Sequence, residues 1–326
     1  MREYNLHGMR LRVEANGRLL GEAVDGIIGP FVADGPGEVD FIVTLNYAES
    51  PCADEGERLR LLWRGTGPGG METVIYESQN VLATELPGLA FVRVDVSRGR
   101  ADIAVKPGEE SCLNHGCITP VLCEFLNHAG QHVIHAASLA AAAPKGERAV
   151  MLAGDSGAGK TTAALALAGA SMRHMTDDAS FVSAAGGERL MVWGLPRPCK
   201  VHRHTLELLP WLADLPHAPT RSDGEVLIEL ASLPGTDPKR KAAPGLVFLL
   251  AGRNDREHIF TGLDKVEAVA ELSRQNVRTM GPAGLERARG SFAGVTALVR
   301  QSRCYRLSVG PQLDGLHDRV VELLGA

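Results

Sequence analysis

Residues 154–161 read Gly154-Asp155-Ser156-Gly157-Ala158-Gly159-Lys160-Thr161, a complete G-x-x-x-x-G-K-[ST] phosphate-binding loop. No other stretch restricts the chain so far. The glycines let backbone N–H groups wrap a phosphate, Lys160 places a charge on the outer phosphates, and the Thr161 hydroxyl can ligate Mg²⁺. Ala149-Val150-Met151-Leu152-Ala153 is the short apolar run expected of a buried parallel strand. Thr161-Thr162-Ala163-Ala164-Leu165-Ala166-Leu167-Ala168 reads as a helix whose positive N-terminus would face the phosphates. Strand, loop and helix together commit this region to an α/β nucleotide-binding fold. The expected nucleotide contacts are Gly154, Asp155, Ser156, Gly157, Ala158, Gly159, Lys160, Thr161 and Thr162.

A chain of 326 residues holds about two domains and can bury a sizeable core. We expect an N-terminal β-rich module over 1–110 and the loop-bearing domain over 111–326. In the first, Met9-Arg10-Leu11-Arg12-Val13-Glu14 alternates apolar and polar, and Asn16-Gly17 is a hairpin signal before Arg18-Leu19-Leu20. Further strands are expected over 39–45, 59–63, 73–76, 91–96 and 102–105, which together suit a small antiparallel module. Beyond Pro107-Gly108 the pattern changes. It predicts a helix over 118–128, a strand over 132–139, strands over 179–183, 190–193 and 246–250, and helices over 205–214, 265–273 and 317–324.

Net charge is −5, with 22% charged and 44% hydrophobic residues. Such a balance has no basic footprint for nucleic acid. No apolar run has the length of a membrane span, and Met1-Arg2-Glu3-Tyr4-Asn5-Leu6-His7 lacks the apolar centre of a signal peptide. With six cysteines and no export signal, free thiols in a reducing cytoplasm are expected.

Two adjacent carboxylates, Asp177-Asp178, come after the loop, one helix and one strand later. One can hold Mg²⁺ while the other accepts a proton from an incoming hydroxyl. An Asp-Asp pair is otherwise a solvated turn, but a nucleotide-hydrolysing or -transferring site needs an acidic metal partner. The strand over 246–250 runs into Ala251-Gly252-Arg253 and offers none.

His135, the two strands, the Gly-Asp-Ser-Gly-x-Gly-Lys loop and the Asp-Asp pair stand in the order and near-spacing of the HPr kinase/phosphorylase family. The chain resembles most the HPr-kinase-like group, some members of which accompany peptide-modifying gene clusters. Ile134-His135-Ala136-Ala137-Ser138 and Gly194-Leu195-Pro196 are similar to further segments of that group. The likeness covers roughly 111–250. It implies a fold of the HPr kinase and phosphoenolpyruvate carboxykinase type, and serine phosphorylation with Mg²⁺ and a nucleotide, ATP or another donor. It also implies residue roles: His135 beside the phosphates, Asp177 as the base for the acceptor hydroxyl, Asp178 with Thr161 on the metal. The acceptor it implies is a serine or threonine of a peptide or small protein, and by analogy the chain forms a homo-oligomer.

The departures narrow that reading. HPr kinases have Ser-Glu after the loop lysine, where this chain has Thr161-Thr162. Their Glu-x-Arg-Gly-Leu-Gly segment is Met191-Val192-Trp193-Gly194-Leu195-Pro196 here, so the resemblance carries neither HPr as substrate nor phosphorolysis. A small-metabolite kinase, and a nucleotide-binding switch with little catalysis, therefore stand beside the peptide kinase. Lys200-Val201-His202-Arg203-His204 is either a basic run that steers an acidic substrate or a solvated loop into a helix. Cys112, Cys117, Cys123, His115 and His128 fit no paired zinc frame and read as structural thiols and helix-facing histidines.

Overall fold

A computed structural model describes residues 1–53, 58–67, 70–78, 81–185, 189–218, 225–277 and 281–325. The protein is mixed α/β and forms two compact units, one of residues 1–130 with 278–289, the other of 131–277 with 290–326. Residues 111–130, expected with the loop-bearing domain, thus belong to the first unit.

That first unit is built on one sheet of eight strands: β1 (Arg2–Leu6), β2 (Met9–Ala15), β3 (Phe41–Tyr47), β4 (Arg60–Thr66), β5 (Glu72–Glu77), β6 (Val81–Leu86), β7 (Ala90–Asp95) and β8 (Arg100–Val105). Their order is β1-β2-β3-β8-β7-β6-β5-β4. The hairpin expected at Asn16-Gly17 does not form, and Arg18-Leu19-Leu20 is not a strand. Those residues open helix α1 (Arg18–Ile28), which buries Leu20, Val24, Ile27 and Ile28 on one stripe at helical spacing. Helix α1 connects β2 to β3, which pair parallel, as do β3 and β8, so the sheet is mixed rather than antiparallel. The tight hairpin lies earlier, where β1 and β2 meet across His7 (φ 53) and Gly8 (φ 106), the left-handed pair a two-residue turn requires. Helix α2 (Thr119–His128) lays Phe125 on Phe41 with ring centroids 4.2 Å apart, which is why it sides with this sheet. Its Glu124 receives a hydrogen bond from Arg287 at 3.2 Å, which ties residues 278–289 to the same unit.

The second unit turns on two long strands, β9 (Gln131–Ala141) and β17 (Lys241–Arg253). Between them in the chain come β10 (Arg148–Ala153), α3 (Lys160–Gly169), β11 (Arg173–Thr176), β12 (Ala179–Ala185), β13 (Arg189–Gly194), β14 (Cys199–His202), α4 (Arg203–Leu208), β15 (His217–Ala218) and β16 (Glu225–Ile228). After β17 come β18 (Ile259–Gly262), α5 (Lys265–Asn276), α6 (Gly281–Gln301, whose residues 281–289 belong to the first unit), β19 (Arg303–Val309) and α7 (Leu316–Gly325). Strand β10 pairs antiparallel with β9 and parallel with β17, and β17 pairs parallel with β19. Ala149, Met151 and Ala153 of β10 face a core with α5 and the end of α6, while Val150 and Leu152 face one with α3 and α7. Burial on both faces explains the unbroken apolar run before the loop. The helix expected over 205–214 is broken: α4 stops at Leu208, and Pro210, which lacks an N–H, opens a tighter turn over Pro210–Asp214. No helix among the described residues is long and apolar enough to cross a membrane.

Candidate functional site

The site forms beside the middle of β9, where β10 ends on one edge and the Asp177-Asp178 step separates β11 from β12 along the strand. Residues 131–135 pair with β12, His135 opposite Ala179, and residues 138–140 with β11, while residues 136–141 also pair with β10, Ala136 opposite Ala153. Ala136, opposite the last residue of β10, also donates its N–H to Asp178 O at 3.1 Å, which brings together the carboxyl end of β10 and the start of β12. The phosphate loop leaves from the first, and Asp177-Asp178 lead into the second. Ligands of α/β sheets bind outside the carboxyl ends of the parallel strands, which is where this loop stands.

The loop turns through Gly157 (φ 79) and Gly159 (φ 94), left-handed positions that disfavour any side chain. It delivers Lys160 as the first residue of α3. Lys160 is 9% exposed, and its Nζ donates to the carbonyl oxygens of Gly154 (2.8 Å) and Asp155 (3.1 Å), which holds the ammonium across the loop. Burial lowers its pKa, while Asp178, Asp155 and Asp177 are near enough to oppose that shift. Asp155, Ser156 and Gly157 are exposed, Ala158 and Gly159 partly so, and Thr161 is half-buried on the first helical turn. The Thr162 hydroxyl bonds that of Thr205 at 2.8 Å and ties α3 to α4.

Asp178 is held from two sides. His135 Nδ1 lies 2.8 Å from its Oδ1, and Arg197 Nη1 lies 3.4 Å from its Oδ2. Burial alone would raise this carboxyl. The His135 hydrogen bond and the charges of His135, Arg197 and Lys160 outweigh burial and bring it down to about 2. Asp177 goes the other way. Burial first, and then the charge of Asp178, raise it to about 6 against Arg197 and a hydrogen bond from the Lys200 backbone N–H. Two neighbouring carboxylates are thereby split into a permanent anion and a group that titrates near neutrality.

Sequence reasoning missed Arg197, Asn276 and Arg274. The backbone N–H of His135 donates to Asn276 Oδ1 at 2.7 Å, and Asn276 Nδ2 donates to Leu272 O at 2.9 Å, so the end of α5 fixes β9 at the candidate site. Arg274 stands 4.0 Å from Asp155. Nothing in local spacing marks these residues, because each reaches the site through tertiary packing. Gly194 does carry a readable signal: a Cβ there would lie 2.7 Å from Met175 O and Thr176 Cβ. Only glycine lets β13 pass that close to β11 and carry Arg197 onward to Asp178.

The basic run 200–204 is neutralised internally. Lys200 and His202 lie 3.9 and 3.5 Å from Glu225, and Arg203 and His204 lie 3.7 and 3.5 Å from Glu207. Of the zinc candidates, Cys112 and Cys117 are buried free thiols, and the His115 side chain lies outside the described residues. Among the described residues no three His, Cys, Asp or Glu groups converge to hold a metal. Compared with known proteins, the chain matches no protein-family model and no curated protein.

Proposed function

We propose that this protein transfers a phosphoryl group from a Mg²⁺-nucleotide to a serine or threonine hydroxyl of a peptide or small protein. The observation that carries the reading is the meeting, beside Ala136 of β9, of a complete phosphate loop with the Asp177-Asp178 pair, Ala136 lying opposite the last residue of β10 and bonded to Asp178 O. Loop amides and Lys160 would hold the donor phosphates. The residues present suit a Mg²⁺ ion, which asks for one or two carboxylates beside substrate phosphates and water. Asp178, kept ionised, and the Thr161 hydroxyl would hold it. When bound, the ion offsets phosphate charge. Asp177 would accept the acceptor hydroxyl's proton, since a base works best when its pKa lies near the working pH. His135, hydrogen-bonded to Asp178, would keep that carboxylate oriented beside the phosphates. The same reading makes 131–277 with 290–326 a nucleotide domain of the HPr kinase and phosphoenolpyruvate carboxykinase type, working in the cytoplasm.

Exposure bears on the split between the aspartates, for the Asp178 side chain is 38% exposed whereas Asp177 is 8% exposed. Both single variants therefore belong in the test. The purified protein is incubated with Mg²⁺ and γ-labelled ATP, with and without a peptide fraction of its host, beside Asp177→Asn and Asp178→Asn. Label moving to a peptide in wild type, and lost in Asp177→Asn with nucleotide binding kept, is expected. Transfer undiminished in Asp177→Asn removes its role as base. Label moving to a small metabolite makes the protein a metabolite kinase. Nucleotide bound with no label moved makes it a switch.

A further inference from the structure

Helix α5 directs its carboxyl end at the candidate site. Its last residue, Asn276, accepts from the His135 N–H, and Arg274, two residues earlier, stands 4.0 Å from Asp155 of the phosphate loop. The final turn of α5 therefore reaches from β9 to the loop and is anchored at its Asn276 end. A helix end of this polarity carries partial negative charge, which opposes phosphates. The exposed carboxylate of Asp155 opposes them too. Arg274, in that last turn, is placed to answer both.

Its guanidinium is held loosely. Among the described residues Asp155 is its one partner, and 4.0 Å is beyond hydrogen-bond range. The Arg274 side chain is 64% exposed and that of Asp155 72%, so water screens the pair and it adds little to stability. Two other cations of the site are already committed. Lys160 Nζ donates to the carbonyls of Gly154 and Asp155, and Arg197 is buried against Asp178 at 3.4 Å. Arg274 keeps its fork of N–H donors for a ligand at the loop.

Phosphoryl transfer has a use for such a group. The bond from the outermost phosphorus to its bridging oxygen breaks, and the electron pair stays on the nucleoside diphosphate. The acceptor oxygen bonds to that phosphorus, and its proton goes to Asp177. In passage the charge spreads over three equatorial oxygens, so catalysis is mostly positioning and electrostatics. Lys160 is a point charge, whereas a planar guanidinium engages two phosphate oxygens at once. We infer that Arg274 is a catalytic residue: with the donor bound, its guanidinium leaves Asp155 for the outermost phosphate and stabilises the phosphoryl group in passage. It neither gains nor loses a proton. The inference rests on the phosphoryl-transfer reading and adds to it a residue that separates the moving phosphoryl group from the resting donor.

The test is calorimetric titration of the full chain with Mg²⁺-ADP, alone and with aluminium fluoride, which mimics the phosphoryl group in passage. Wild type, Arg274→Ala, Arg274→Lys and Lys160→Ala are compared. Wild type should bind the fluoride complex at least about 100-fold more tightly than ADP alone. Arg274→Ala should lose most of that preference and keep its ADP affinity within about three-fold. Arg274→Lys keeps the charge without the fork and should lie between the two, and it preserves the comparison should the alanine disturb folding. An unchanged preference in Arg274→Ala, or equal losses of both ligands in the Arg274 variants, overturns the inference and leaves the loop reading standing. Wild type that binds ADP with no preference for the fluoride complex overturns the transfer reading and the inference with it. Wild type that binds no ADP, or Lys160→Ala that binds it unchanged, overturns the loop reading as well.

Discussion

At the scale of the residue, the acidic pair sets stability against chemistry. Asp177 ionises at about 6 in the folded chain and near 3.9 when unfolded. Between those values the native state holds a proton the unfolded chain has released, so stability falls as pH rises through that window. Replacing Asp177 with Asn removes the buried charge beside Asp178 and keeps an oxygen for the Lys200 N–H. In metal-free buffer at pH 7.5, Asp177→Asn should be more stable than wild type by about 2–3 kcal/mol. The gain should shrink towards zero near pH 4. Urea unfolding at the two pH values measures it, and equal stability at pH 7.5 would contradict the electrostatic account. His174 gives a second residue-scale case. Burial lowers its pKa to about 4, so on acidification the unfolded chain takes up a proton first and stability falls between roughly 6.5 and 4. In His174→Gln that part of the acid sensitivity should be missing, read as a shallower loss of unfolding free energy across the window.

Elements were legible where one environment covers their whole length. Strand β10 and helix α3 read correctly, and β17 (Lys241–Arg253) only over 246–250, because Val150, Leu152, Leu246 and Phe248 are buried in one core with α3 and α7. Asn16-Gly17 misled, since a turn signal does not decide between a strand and a helix on its far side. The stripe of Leu20, Val24, Ile27 and Ile28 decides for helix. Helix α6 escaped notice because Gly290 and Gly294 interrupt its pattern. Gly294 is there for packing, as a Cβ would sit 2.6 Å from His132 Cβ. The loop, His135 and the Asp pair could be named from sequence, but the element that aligns them could not: α5 holds β9 through the Asn276 side chain, bonded to His135 N. Asn276→Ala should cost about 0.5–1.5 kcal/mol by removing the hydrogen bond to that exposed N–H. It should lower phosphoryl transfer more than nucleotide affinity, because it loosens His135 without touching the loop. Parallel turnover and binding measurements separate the two, and a loss in affinity alone would exclude the positioning role.

At the scale of the whole molecule, the border between the two compact units traces contacts that no linker signal marks. Residues 111–130 side with the first sheet through Phe125 on Phe41, and 278–289 return to it through Arg287 and Glu124. Every candidate residue, from His135 to Asn276, falls in the other unit, so the proposed nucleotide binding would be a property of that unit's fold. A ligand that binds only the folded state stabilises it by RT ln(1 + [L]/Kd), about 2.7 kcal/mol at 100-fold excess over Kd. Amides of β9, β10 and β17 lie in the buried centre of that unit's sheets and exchange through its largest openings. At 100-fold excess of Mg²⁺-ATP over Kd, their hydrogen exchange should slow by about 100-fold. In Lys160→Ala at the same concentration it should barely change, because the ammonium that answers the phosphates is gone while β10 and α3 stay packed. Slowing in wild type without slowing in the variant ties ligand, loop and sheet into one equilibrium. Equal slowing in both would place the nucleotide away from the loop, and the phosphate-binding reading of Gly154 to Thr161 would fall.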